Sequence, residues 1–321
     1  MKKIFIMSLG RTGSTFLTSH FQNYLYNKKS KVYNAHEFFR FWPMHFYKHI
    51  HFLKAHNLEI PKSFVDFMCN LVKFTEASGK QKETWEWVAP ANRPYGRRNI
   101  NLLNNRKKKD GYYIHDEWPY SLNMIDDFCE QLNKVQGLEY FIHKHIGRIS
   151  EDFGDEWAYE NVIAKADLVI VNYRYNVLDT FISLQKAIQS QEWVAIGNYK
   201  PEYDNKIEWN KKYFIDYATN RYMASYNKVK EALKTTQKPY FVIQYENFVA
   251  NVNKRQYLAD LLAQSGTIKT SEIDNLLTLL RPRIIKQSKP RQFYEDCFNA
   301  QGVKKFKEDY HDIKHLTTYT Y

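Results

Sequence analysis

Two rhythms of apolar and polar positions alternate along the chain. Three short runs, KIFIMS (3–8), DLVIVNYR (167–174) and PYFVIQYE (239–246), are almost continuously apolar, rich in β-branched or aromatic residues, and close on polar side chains. Runs of this length and composition predict strands buried on both faces. The first two pass straight into helical spacing: Leu17, Phe21 and Leu25 recur every fourth residue, and Leu178, Phe181 and Ile182 share one helix face. Strands alternating with helices predict an α/β fold with a central parallel sheet flanked by helices. Ligands of such sheets gather beyond the carboxyl ends of the strands, so the polar strand ends are where chemistry is expected.

Between about 38 and 135 the rhythm breaks into aromatic, basic and turn-rich stretches: FFRFWPMHFYKHIHF, ETWEWVAPANRPYGRRN and NNRKKKDGYYIHDEWPY. We read a largely helical insertion there. The run Arg106 to Lys109 is a solvated loop ahead of the Asp110-Gly111 turn. No internal repeat or long low-complexity linker divides the chain, so residues 1–321 form a single domain carrying that insertion.

The first strand ends in SLGRTGST (8–15), where glycines, hydroxyl residues and one arginine interrupt the apolar pattern before the helix begins. Glycine lets backbone approach a ligand closely, and a helix starting near Ser14 turns unpaired N–H groups toward the loop. The result is an anion cradle built from the backbone of Thr12, Gly13, Ser14 and Thr15 and the hydroxyls of Ser14 and Thr15. Arg11 is its one cation, and the lysine of a GxxxxGK[ST] loop is missing.

The second strand ends on Arg174, with Asn176 at a helix N-cap and Asp179 three residues later, as in a capping box. Seven residues at about 100° each bring Ser183 back to the azimuth of Asn176, about 10 Å along the axis. Arg174 and Ser183 can therefore hold one anion from two levels. Two anion sites at two parallel strand ends suit a ligand with two separated phosphate groups, whereas ATP carries a single cluster.

Charge supports an anionic ligand: 47 Lys+Arg against 35 Asp+Glu gives +12. An apolar fraction of 44% with 17% aromatics excludes a disordered chain. Cys69, Cys129 and Cys297 show no CxxC or other ligand spacing, so neither a disulfide framework nor a zinc site is indicated, and a reducing compartment fits. The apolar run in MKKIFIMSLGR is shorter than the roughly 7 to 15 residues of a secretory signal. No stretch approaches the ~20 apolar residues of a membrane span. A cytoplasmic protein is expected.

The loop RTGST resembles the 5′-phosphosulfate loop of sulfotransferases, and RYNVLDTFIS resembles their 3′-phosphate motif. The nine-residue step from Arg174 to Ser183 is similar to that of the bacterial carbohydrate branch, of nodulation-factor and trehalose type. VIQYENFVANVNKRQYLADLLAQSG (242–266) resembles the family's YE-containing strand with its following helix, and IIKQSKPRQFYEDCFN (284–299) its late KQ loop. The match covers both ends and the centre of the chain and leaves 38–135 outside. The resemblance implies a P-loop-like, three-layer α/β sulfotransferase whose donor is 3′-phosphoadenosine 5′-phosphosulfate (PAPS), whose product is adenosine 3′,5′-bisphosphate (PAP), and whose variable acceptor side is the insertion at about 38–135. In that scheme Arg11 meets the leaving 5′-phosphate, while Arg174 and Ser183, assisted by Lys286, Gln287 and Arg291, bind the 3′-phosphate. Glu37 in VYNAHEFF resembles the general base of the bacterial branch; other branches use histidine, which makes His36, His115, His143 and His145 its rivals. Lys144 is either a second cation near the transferring group or a solvated lysine on an edge strand.

No metal is required by this scheme, and no DxD or His-rich cluster asks for one. The acceptor is expected to be a hydroxyl of a carbohydrate or glycolipid, with Trp42, Trp85, Trp87 and Trp118 available to stack on sugar rings. Two other classes compete. A P-loop nucleotide-dependent kinase lacks its lysine here and finds Arg174 where a magnesium-binding aspartate is needed. A nucleic-acid-binding protein is suggested by +12 and the interleaved aromatics, but no recognition motif supports it.

Overall fold

The computed structural model describes residues 1–21, 30–38, 43–65, 122–146, 158–190, 206–266 and 297–321. Five strands, β1 (Lys2–Ser8), β2 (Val32–His36), β3 (Tyr140–Ile146), β4 (Leu168–Tyr173) and β5 (Tyr240–Gln244), form one sheet in the order β2-β3-β1-β4-β5. Every pairing is parallel. The three apolar runs thus become β1, β4 and β5, and two further strands, less visible in the sequence, join them.

Side chains alternate across the sheet with period two. Phe5, Met7, Phe141, Val169 and Val171 pack on one face against α2 (Pro43–Ala55), α3 (Asn123–Leu132), α4 (Tyr159–Ala164) and α5 (Val177–Ser190), through Phe52, Phe128, Val162 and Phe181. Also on this face lie α6 (Lys211–Asp216), a π-helical segment (Tyr217–Met223) and α7 (Ala224–Thr236). Ile4, Ile6, Ile142, Leu168 and Ile170 face the other way, toward Leu17 of α1 (Ser14–Thr18), Phe248 of α8 (Tyr245–Ala250) and Leu258 and Leu262 of α9 (Lys254–Gln264).

The chain steps from β1 over β3 to β2 and thereafter moves back across the sheet to β3, β4 and β5. A reversal of direction puts the connecting helix on the opposite face when crossovers keep one hand. This is why α1 is separated from α2 to α7, and why β1 and β4 mark the switch point of the sheet. The loop 9–15 lies at that switch point.

Packing corrects one expectation. β3 is not an edge strand: it lies between β2 and β1, and Lys144 is 2% exposed. Within the insertion, α2 and α3 are helical, and Phe52, Phe64 and Phe128 belong to the core beneath β2 and β3. Cys129 and Cys297 are buried free thiols. Among the described residues no helix is long and apolar enough to cross a membrane.

Candidate active site

Every strand delivers a polar group to the carboxyl edge of the sheet. In spatial order these are Glu37 after β2, Lys144 on β3, the loop 9–15 after β1, Arg174 after β4 and Tyr245 after β5.

The loop has a shape that few sequences permit. Arg11 and Gly13 both adopt left-handed backbone, φ 69° and 79°. Thr12 is fully buried; its hydroxyl donates to Leu9 O at 2.7 Å, and Asn172 on β4 donates to Thr12 O at 3.0 Å. The Thr12 side chain therefore anchors the loop instead of facing a ligand. Gly13 lies against the Tyr245 ring so closely that a Cβ would fall 2.1 Å from it.

Arg11 extends from this loop to α5, where its Nε donates to Ser183 Oγ at 3.0 Å. The two anion elements read separately from the sequence are thereby in contact. Ser183 accepts this bond and keeps its own hydroxyl proton to donate.

Arg174 is oriented from three directions. Nη2 donates to Asp179 Oδ2 at 2.7 Å, Glu246 Oε1 lies 3.6 Å from Nε, and the guanidinium sits over the Tyr245 ring at 5.1 Å. Nε is buried and finds no hydrogen-bond partner among the described residues. The cap of α5 differs from the expected box in one respect. Asn176 Oδ1 accepts from the Asp179 N–H at 2.8 Å as a capping residue should, but the Asp179 carboxylate is committed to Arg174. The Asn176 N–H is served by Glu246, which also accepts from the Tyr175 N–H.

On the other side of the loop, Lys144 Nζ donates to Thr15 Oγ1 at 2.9 Å and pairs with Glu37 Oε1 at 2.6 Å. Lys144 shares the face of β3 that carries Ile142, so Glu37, Lys144 and Thr15 form one continuous polar chain beside α1.

The histidines fall elsewhere. His143 and His145 point to the opposite face of β3, 1% and 0% exposed, among Phe5, Phe38 and Tyr159. Both ring nitrogens of His145 are without a hydrogen-bond partner among the described residues. Burial lowers His145 to about 4; burial, with the neighbouring His145, lowers His143 to about 3. His36 ends β2 in left-handed backbone, φ 52°, and burial with the Lys144 and Lys48 charges lowers it to about 4. Lys286, Gln287, Arg291, His115, Trp42, Trp85, Trp87, Trp118 and the basic run 106–109 lie outside the described residues.

The buried histidines make stability depend on pH. Each takes up a proton near 6.5 when unfolded and only near 3 to 4 when folded, so the unfolded state gains protons first as pH falls. Folding stability is then lost on acidification from pH 6.5 toward 4, with a slope of about 1.4 kcal/mol per pH unit for each such histidine. Urea midpoints measured between pH 4.5 and 7 should fall steeply on the acid side. His145→Phe should flatten that fall without lowering stability at pH 7, because it removes two buried polar atoms that have no partner. An unchanged slope in that variant would show that His145 is protonated equally in both states.

The motif VIQYENF contains Tyr245 and Glu246 without giving either a role; after β5 the Tyr245 ring lies under Arg174, and Glu246 accepts from the Tyr175 and Asn176 N–H groups. Among the described residues no group of three or more His, Cys, Asp or Glu side chains could hold a metal ion. Compared with family models, with curated proteins and with solved structures, the chain finds no match in any of the three.

Proposed function

We propose that the chain is a sulfotransferase that moves a sulfuryl group from PAPS to an acceptor hydroxyl, a carbohydrate or glycolipid being the favoured acceptor class. The observation that carries this reading is the Arg11–Ser183 hydrogen bond, which joins the β1 loop to the α5 anion element. A ligand held by Arg11 in the loop after β1 and by Arg174 after β4 would meet cations at two neighbouring strand ends, and two anionic groups on one scaffold suit that arrangement. A nucleoside bearing 3′ and 5′ groups has that form.

The residues divide the work by position. The loop N–H groups and Arg11 hold the 5′ side, and their charge grows in value as the leaving phosphate becomes more negative. The Ser183 hydroxyl and the Arg174 guanidinium serve the 3′ side. Asp179 and Glu246 keep that guanidinium in place before a ligand arrives, which reduces the ordering cost of binding. Glu37 takes the proton of the acceptor hydroxyl. The acceptor oxygen forms its bond to sulfur as the bond from sulfur to the bridging phosphate oxygen breaks, and PAP leaves with that electron pair. Lys144 is the positioning residue for this step: it fixes the Glu37 carboxylate and ties it to Thr15 of the loop.

A kinase reading is weaker at one specific position. β4, the strand beside the loop, reads LVIVNY and leads into Arg174, so neither the strand nor its end supplies a carboxylate for magnesium, and Asn172 is used in donating to Thr12.

Calorimetric titration tests the proposal. PAP should bind about tenfold more tightly than ADP, or better, with no dependence on magnesium, because only PAP fills both anion sites. ATP binding equal to or tighter than PAP in the presence of magnesium would overturn it.

A further inference from the structure

The turn Arg174–Val177, which carries the 3′ anion site of the proposed function, has its backbone polar groups paired before any ligand is present. The Tyr222 hydroxyl, from the π-helical segment, accepts from the Arg174 N–H at 2.9 Å and donates to the Arg174 carbonyl at 2.5 Å. Glu246 accepts from the Tyr175 and Asn176 N–H groups at 2.9 and 3.1 Å. The Asn176 carbonyl accepts from Thr180. The two groups still to be served, the Tyr175 carbonyl and the Val177 N–H, are met by a segment distant in sequence. Tyr319 N donates to Tyr175 O at 2.9 Å, and Val177 N donates to Thr317 O at 2.9 Å, so that Thr318 forms an antiparallel bridge with Asn176.

This segment is itself anchored on the core. The Tyr319 ring stacks on Tyr226 and meets Tyr173 and Tyr222 edge-on, and its hydroxyl reaches Asn227 at 3.2 Å. Tyr321 packs on Tyr173 and Tyr226, and the Lys230 ammonium lies over both the Tyr319 and Tyr321 rings. Tyr222, which grips Arg174, is therefore also held by the ring of Tyr319. A carbonyl or N–H that loses its partner next to a binding site either takes water or changes the turn, and either response moves the guanidinium that follows from it.

We propose that residues 317–321 act as a positioning strap that fixes the Arg174 turn and so sets the selectivity of the site for a 3′-phosphorylated nucleotide, without touching the ligand. The inference rests on the sulfotransferase reading for its ligand, and on the hydrogen bonds alone for the strap.

Two variants of the 321-residue chain test it: one ending at Leu316, and Tyr319→Pro, which lacks the N–H that serves Tyr175 but keeps Thr317 and Tyr321. Tyr319→Phe, which keeps ring and N–H, is the control. Two quantities are read: hydrogen exchange of a peptide covering 175–178, and the ratio of PAP to 5′-AMP affinity by calorimetry. Both strap variants should exchange faster at Val177 and lose about tenfold in the affinity ratio through weaker PAP binding alone, while Tyr319→Phe keeps native values. Native exchange and a native ratio in the chain ending at Leu316 would overturn the strap while leaving the sulfotransferase reading intact. A native protein that does not distinguish PAP from 5′-AMP would overturn the reading itself and the selectivity role with it, whatever the exchange shows.

Discussion

Gly13→Ala should lose about 3 kcal/mol of stability and its PAP binding together, through two effects that act on one atom. The backbone of Gly13 is left-handed at φ 79°, a region that costs any residue with a Cβ. The new methyl would also stand 2.1 Å from the Tyr245 ring, which is 9% exposed and stacked under Arg174, so it has little room to withdraw. Gly10→Ala is the internal control: its Cβ would meet nothing within 4 Å, and it should leave the urea midpoint near native. Combining Gly13→Ala with Tyr245→Ala should destabilise by less than the sum of the two, because the second change removes the clash but leaves the backbone strain. A Gly13→Ala protein as stable as Gly10→Ala would show that the loop is not held against Tyr245.

Sequence periodicity located β1, β4 and β5 because their residues are apolar on both faces. It passed over β2 and β3 for a physical reason. Their carboxyl halves carry Asn34, His36, His143, Lys144 and His145, and polar residues are ordinarily taken as exposed. Here Asn34, His143, Lys144 and His145 are buried, since the strand ends are where this fold gathers its polar groups. The aromatic density of the insertion was ambiguous for a related reason. Phe52, Phe64 and Phe128 are core residues, and composition alone does not separate a ring that packs from one that faces a sugar.

The site divides along the same line. Loop 8–15 and the step from Arg174 to Ser183 were legible because their geometry is local, set by one turn and by helical spacing. The fixing of Arg174 was not, since Glu246 reaches the Tyr175 N–H across 71 positions and Thr317 is further still. The partner of Lys144 was equally hidden. Glu37 and Lys144 approach only because β2 and β3 are parallel neighbours, a pairing fixed by crossover direction and not by any pattern within either strand.

Arg11→Ala and Glu37→Gln should both stop transfer, and the way each does so separates their roles. In the proposed sulfotransferase, Arg11 is preset by its left-handed backbone and its bond to Ser183, and would meet the leaving group with little reorganisation. Its removal should lower turnover about 1,000-fold and also weaken PAP, because the same cation meets the phosphate in the product. Glu37→Gln keeps size and shape, and its amide oxygen still accepts from Lys144, so the bond from Lys144 to Thr15 of the loop is retained while the carboxylate is lost. It should hold native PAP affinity while turnover falls about 100-fold or more, and the acid limb of the kcat/KM profile should disappear with the carboxylate. Full turnover in Glu37→Gln would pass the base to a histidine, and His36, at the end of the same strand, would be the first to replace. If Arg11→Ala instead raised KM and left kcat alone, Arg11 would bind ground state and transition state equally, and the loop would be an anchor for the nucleotide with the chemistry driven from the Glu37–Lys144 side.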